Sequence, residues 1–320
     1  IISRYSYDSN LLFAPFPGAE MINLVDDKGH TMQYNFFSQS KMNFSERFMM
    51  NVGFHGHYFH FNNEFNFEPR AGLTYTLSDR QTLSLAYGKH SRLEPLNIYL
   101  SNINSGEGNQ LLNKDLKITK SHHIVFAYDF SINPDLRFKI EPYFQYLYDV
   151  PVIADSSFSV LNIHQDWFIK EQLTNEGTGR NYGIDLTFER FLNDGYYWLF
   201  TTSLFNSNYV GGDGVERNTR FNSQFVFNVL FGKEWIFGIQ KNKVFSMSGR
   251  LNIVGGQWVS PVIRDYPYTQ GDEVLYDDSN PFSYRRPHKY HLNLSINYRK
   301  NREKRTGVWT LQVLNVLGVP

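Results

Sequence analysis

Residues 179–190 read GRNYGIDLTFER, and apolar and polar side chains change places at almost every step. Tyr182, Ile184, Leu186 and Phe188 share one parity, and Gly183, Asp185, Thr187 and Glu189 share the other. A period of two fits a strand and excludes a helix. One face of that strand is greasy and the other is wet. In a soluble sandwich the greasy face would line an interior. In a membrane barrel it would be the outside, with the polar face turned to a lumen.

The same alternation recurs along the 320 residues. In 137–148, RFKIEPYFQYLY, one face carries Phe138, Ile140, Pro142, Phe144, Tyr146 and Tyr148, and Arg137, Lys139, Glu141 and Gln145 lie on the other. In 289–298, KYHLNLSINY, Tyr290, Leu292, Leu294, Ile296 and Tyr298 oppose His291, Asn293, Ser295 and Asn297. Looser versions appear at 46–61, 65–77, 81–92, 119–131, 195–208, 220–233, 243–256 and 306–315, with 31–40 as a further strand and a weak one near 20–25. The pattern predicts about twelve antiparallel strands and no helix. Most run to about ten residues, near the length a tilted strand needs to cross a bilayer rather than the roughly five or six of a globular strand.

From about residue 77 onward the predicted links alternate between short and long. SD near 78, INPD near 132, ND near 193, the stretch 234–242 and NREKRTG at 301–307 are tight, whereas 93–118, 151–178, 209–219 and 257–288 are long. An up-and-down meander across a membrane places all its tight turns at one end and its long loops at the other. Aromatic residues at strand ends, among them Tyr128, Phe130, Tyr146, Tyr182, Tyr196, Trp198 and Tyr298, suit the girdles at two lipid interfaces.

Composition narrows the function. With 31 basic and 31 acidic residues the formal charge is zero, which offers no field for nucleic acid. The absence of cysteine removes disulfides, thiol catalysis and cysteine-bound zinc. A mean hydropathy of −0.43 and the lack of any long apolar run exclude a helical membrane protein, but a barrel passes that test because its lumen residues offset its lipid-facing ones. There is no G-x-S-x-G, Walker A, H-E-x-x-H or dinucleotide fingerprint, so no catalytic residue, enzyme activity or cofactor is expected. The opening IISRYSYDSN has no signal-peptide character, and the chain reads as an internal piece of a longer protein.

Three stretches taken in order, EPRAGLTYTLSDRQTLSLAYGKHSRLEPL, NEGTGRNYGIDLTFERFLNDGYYWLFTTSLFNSNY and VWTLQVLNVLG, resemble the barrel of TonB-dependent outer-membrane receptors. The similarity is closest to the large receptors of Bacteroidetes-type bacteria, some of which add a carboxypeptidase-regulatory-like domain. The resemblance covers the chain from about residue 31. It implies an all-β, antiparallel, up-and-down transmembrane β-barrel wall, about 12 strands of a 22-strand-type barrel, in the bacterial outer membrane. On this reading residues 1–320 are one partial barrel domain, without the N-terminal plug and without the closing strands. The implied partners are outer-membrane lipid, the protein's own plug, a TonB-type energy-coupling protein acting through that plug, and a surface lipoprotein. The implied function is active import of an iron chelate, cobalamin, oligosaccharide or peptide. A passive channel or adhesin, and a soluble all-β binding protein, are the alternatives.

Two readings stand for the long loops: a self-packed extracellular surface beside lipopolysaccharide, and direct contact with a substrate. Trp258, Tyr266, Tyr268 and Tyr276 could stack on a sugar or flat chelate, as could Trp167 in the loop 151–178, while Arg264, Arg285 and Arg286 could hold carboxylates or phosphates. Asp272, Glu273, Asp277 and Asp278 could bind calcium, although their spacing does not match an EF-hand. HGHYFH at 55–60 places His55 and His57 on one face and His60 on the other. Paired imidazoles can share a metal, but no third ligand follows along the strand, and the pair reads as ordinary lumen-facing histidines with no metal site. His122 and His123 point to opposite faces.

Overall fold

The computed structural model describes residues 1–13, 20–105, 108–163, 169, 171–263 and 275–318. Among these residues the main sheet has fourteen strands. Thirteen form one antiparallel meander in strict chain order: β1 (Ile2–Phe13), β2 (Ile22–Asn43), β3 (Phe48–Phe59), β4 (Glu64–Ser78), β5 (Gln81–Arg92), β6 (Thr119–Asn133), β7 (Leu136–Ile153), β8 (Leu173–Asn193), β9 (Tyr196–Val210), β10 (Phe225–Phe237), β11 (Lys243–Val254), β12 (Lys289–Arg302) and β13 (Arg305–Val313). The fourteenth, Glu216–Asn218, pairs with the upper end of β9. The other sheets among the described residues are two short hairpins, Asn102–Ser105 with Gly108–Leu111 and Trp258–Val259 with Tyr284–Arg285.

Register makes the two faces continuous across strands. Gln81, Phe130, Phe138, Phe188, Phe200, Val229, Leu251 and Leu292 pair in succession from β5 to β12. One residue along, Thr82, Asp129, Lys139, Thr187, Thr201, Asn228, Asn252 and His291 pair in the same succession. A slip by one residue in any strand would exchange these rows, so the two-sided environment fixes the register. The polar row is cross-linked: Asn252 donates to Asn228 at 2.7 Å, and Asn228 donates to Thr201 at 3.2 Å. Higher on the same face, Asn181 donates to Gln145 at 2.9 Å and Ser207 donates to Asn181 at 2.6 Å.

The apolar face decides between sandwich and membrane wall. Tyr182, Leu204, Phe231, Leu294 and Leu311 are exposed on it, and no second large sheet among the described residues covers them. On β8 this face carries no charge between Arg180 and Arg190. Ten steps of about 3.4 Å, inclined by about 40°, span roughly 26 Å. That equals the apolar band of an outer-membrane barrel, about 25 Å. Aromatic pairs mark the lower margin: Phe188 with Trp198 at 4.7 Å, Trp235 with Phe245 at 5.6 Å and Tyr298 with Trp309 at 5.5 Å. Just beyond them Arg190 and Lys233 lie over the Tyr196 ring, at 4.3 and 5.1 Å, with their charges directed toward the strand ends.

The lower links, 44–47, 79–80, 134–135, 194–195, 238–242 and 303–304, have two to five residues each. At 194–195 both Asp194 (φ 51) and Gly195 (φ 73) are left-handed, the requirement of a two-residue hairpin matched to strand twist. A Cβ on Gly195 would also stand 2.4 Å from the Glu234 carbonyl oxygen. The upper links include 93–118, 154–172, 211–224 and 255–288. Buried Ile98, Tyr99, Leu116, Ile118, Val160 and Ile169 from two of these loops close against Phe59, Val150 and Leu173 of the wall.

The sequence expectations need four corrections. β1 is a full strand that alternation did not reveal. The stretches 20–25 and 31–40 are parts of one strand, β2, and the stretch 220–233 shifts to Phe225–Phe237. A four-residue helix, Leu96–Tyr99, and a 3-10 turn, Val160–Asn162, lie in the upper loops. The missed strand has a physical cause. In β1 the outward positions Arg4, Ser6 and Asp8 pair with Met32, His30 and Lys28, while inward Tyr7 and Leu11 pack around Val25 and Leu100. Above the bilayer the outside is water, so the alternation inverts.

Candidate functional site in the outer loops

Two glycines build the root of the loop 255–288. Gly255 donates to the Phe225 carbonyl at 2.9 Å, and Gly256 donates to His288 Nδ1 at 3.1 Å. A Cβ on Gly256 would stand 1.6 Å from the Arg286 carbonyl oxygen, so only glycine lets the two limbs approach this closely. The limbs then pair as the Trp258–Val259 and Tyr284–Arg285 hairpin. Further out, Ile263 donates to the Leu275 carbonyl at 3.0 Å, Asp277 donates to that of Pro261 at 2.8 Å, and a bridge joins Val262 to Tyr276.

This hairpin encloses a pocket of about 550 Å³ lined by Arg220, Trp258, Val259, Ser260, Pro261, Val262, Tyr276, Phe282, Tyr284 and Arg286. A second hollow of about 470 Å³ shares Arg220, Ser260 and Phe282 and continues toward Phe158, Asn162 and Ile169. Arg220 is set between them by Asn162, whose side-chain oxygen accepts its backbone N–H at 3.0 Å and whose carbonyl accepts a guanidinium N–H, also at 3.0 Å. Tyr209, at the top of β9, packs edge-on to Phe282 at 6.1 Å and donates its hydroxyl to the Ser157 carbonyl at 2.9 Å. Ser157 in turn donates to the Asp278 carbonyl at 3.0 Å, tying the loops 154–172 and 255–288 together. The neighbouring loop is pinned by Arg217 and Asp213, 2.7 Å apart, and the guanidinium holds the Asp213 carboxyl below the usual carboxylate range.

Of the expected contacts, Trp258, Tyr276 and Arg286 meet in the first pocket. Arg285 does not line it: its guanidinium donates to the carbonyls of Gly256 at 3.3 Å and Ser223 at 3.1 Å and lies 5.9 Å from the Trp258 ring, so it props the tryptophan. Trp167, Arg264, Tyr266 and Tyr268 lie outside the described residues, as do Asp272 and Glu273. Asp277 accepts the backbone N–H and hydroxyl of Ser279, at 3.0 and 2.5 Å, and so caps a turn. The expectation missed Arg220, Phe282 and Tyr284. Arg220 comes from a different loop, and no spacing along the chain connects it to Arg286. Chemically the pocket offers two guanidinium groups and aromatic faces, a combination suited to an anionic, partly planar ligand.

Comparison with known proteins agrees with this architecture. The profile of the family described as TonB dependent receptor-like, beta-barrel matches residues 3–316. No curated protein matches the chain. Among solved structures it is similar to the outer membrane transporter YddB from Escherichia coli, with TM-score 0.64 and 12% identity over 99% of this chain and 45% of that one. It is likewise similar to the ferric-catecholate import receptor Fiu from E. coli K12, with TM-score 0.63 and 11% identity over 91% and 41%. The ferric enterobactin receptor of Pseudomonas aeruginosa gives TM-score 0.60 and 13% identity over 95% and 42%. The chain therefore spans less than half the length of each of these proteins.

Proposed function

Because the chain belongs to the TonB-dependent receptor-like β-barrel family, whose members lie in the outer membrane of Gram-negative bacteria, we propose that it forms wall and capturing loops of an active importer of an anionic iron chelate. The pocket built from Arg220, Trp258, Tyr276 and Arg286 at the upper end of a charge-free band carries this reading. Iron chelates of the catecholate kind combine flat rings with negative charge, and two of the similar structures are receptors for ferric enterobactin and ferric-catecholate. Guanidinium groups complement the charge and aromatic faces complement the rings. The loops take up the chelate, and force delivered through a plug by a TonB-type protein opens the path. No bond of the substrate changes, so the protein acts as a transporter and not as an enzyme.

The test is titration of the full receptor, plug included and in detergent, with a panel of ferric chelates, followed by the single variants Trp258→Ala and Arg286→Ala. Each truncation is expected to weaken binding by roughly 30-fold, the equivalent of about 2 kcal/mol for a central aromatic or arginine contact. Failure of every chelate to bind, or unchanged affinity in both variants, would contradict the proposal.

A further inference from the structure

On the polar face of the wall, β3 and β4 bring three side chains together that sequence spacing does not connect. His55 pairs directly with Glu68 across the ladder, and His57, two residues on, pairs with Asn66. His55 Nδ1 lies 3.1 Å from Glu68 Oε2, and His57 Nδ1 lies 3.6 Å from Glu68 Oε1. One ligating atom from each of the three falls within 4.8 Å of the others. The His57 and Glu68 side chains are each only 3% exposed, while His55, at 26%, stands at the mouth. From there it faces a groove of about 670 Å³ that it lines with Arg70, His90 and His123.

The Glu68 carboxylate is fixed from behind. β4 and β5 pair only from Arg70 and Gly88 downward. Above that point Pro69 has no N–H to offer the ladder. Ser91 of β5 bridges the gap by donating both its backbone N–H, at 3.0 Å, and its hydroxyl, at 2.5 Å, to Glu68 Oε1. His57 is held differently. At 3.6 Å its Nδ1 is too far from Oε1 for a hydrogen bond, and its Nε2 is buried with no partner. The 3.1 and 3.6 Å separations run to different oxygens of the carboxylate, and the three ligand atoms spread over up to 4.8 Å, so side-chain rotation would have to draw them in to the roughly 3.3 Å between ligands of one tetrahedral ion with bonds of about 2.0–2.1 Å.

The geometry points to a divalent transition-metal site formed by His55, His57 and Glu68 on the lumen side of the wall. Two imidazoles and one carboxylate form an intermediate ligand set suited to Zn²⁺ or Co²⁺. A carboxylate oriented by Ser91 supplies the outer support that such sites need. Arg70 Nη2, 3.0 Å from Oε2, is the group the ion would displace; its side chain is 49% exposed and free to turn into the groove. The fourth position opens toward that groove. Bound metal would clamp β3 to β4 beside the gap between β4 and β5. Nothing in this inference depends on the chelate pocket, since it concerns other residues and a different ligand.

The experiment uses the full receptor, stripped with chelator and exchanged into detergent. Zn²⁺ retention is read by elemental analysis and Co²⁺ titration by visible absorption. Wild type is expected to bind one equivalent more than the double variant His55→Ala/His57→Ala and to give the intense bands of tetrahedral cobalt. His57→Ala should weaken binding by at least about tenfold, and His90→Ala should leave it unchanged. Heat-modifiable migration checks the fold; if His57→Ala fails that check, His55→Ala, at the more accessible of the two histidines, replaces it. Equal metal retention in wild type and the double variant, or loss on His90→Ala, would overturn the assignment.

Discussion

Replacing Leu186 by Arg is expected to abolish assembly of the receptor in the outer membrane. Leu186 lies between Arg180 and Arg190 on the apolar parity of β8, six residues from one and four from the other, and pairs with Ile140 on one side and Thr202 on the other. A guanidinium at that depth costs roughly 2–4 kcal/mol, and snorkelling cannot carry it to either interface. The matched control is Asp185→Arg, one residue away on the polar face, where the new cation meets Glu141 directly across the ladder. Heat-modifiable barrel in outer-membrane fractions measures the result: near-complete loss for Leu186→Arg and a level close to wild type for Asp185→Arg.

The second large effect concerns the outer loops. Tyr99 is fully buried, packs against Phe59 at 5.8 Å and Phe61 at 6.2 Å, and belongs to the cluster that joins the loops 93–118 and 154–172 to the wall. Truncation to alanine removes a large aromatic side chain from a site that cannot collapse, at a cost of about 3–5 kcal/mol. The wall below takes its stability from strand pairing and lipid, so the damage should stay local. Limited proteolysis of intact cells should cut Tyr99→Ala within these loops at least tenfold faster than wild type, while the barrel keeps its heat-modifiable migration.

The membrane-embedded part of the fold was readable from sequence, and the part above it was not. GRNYGIDLTFER is legible because lipid on one side and water on the other impose a strict period of two on Tyr182 to Glu189. In β1 and the upper part of β2 water lies outside and a packed interior within, and residues such as Arg4 and Asp8 occupy the parity that lipid would otherwise claim. The outer pocket was half legible. Trp258, Tyr276 and Arg286 share one loop and announce themselves by type, but Arg220 arrives from another loop, and Arg285 is turned to backbone carbonyls by a glycine neck whose closeness no composition reveals. Likewise His55 and His57 were visible as a pair. Their third partner, Glu68, required the register of two strands that a four-residue link, 60–63, sets in space.

The most direct test of the wall assignment exploits the absence of cysteine in the chain. Single cysteines placed in turn at positions 182–189 of the full receptor, in outer membranes, would be challenged with a charged, water-borne thiol reagent and, after spin labelling, with a lipid-dissolved relaxation agent. The predicted result is alternation: 183, 185, 187 and 189 react from water, and 182, 184, 186 and 188 sense the lipid-borne agent. Reaction of both parities from water, or the reverse alternation, would contradict a lipid-facing row from Tyr182 to Phe188 and the transport reading that rests on it.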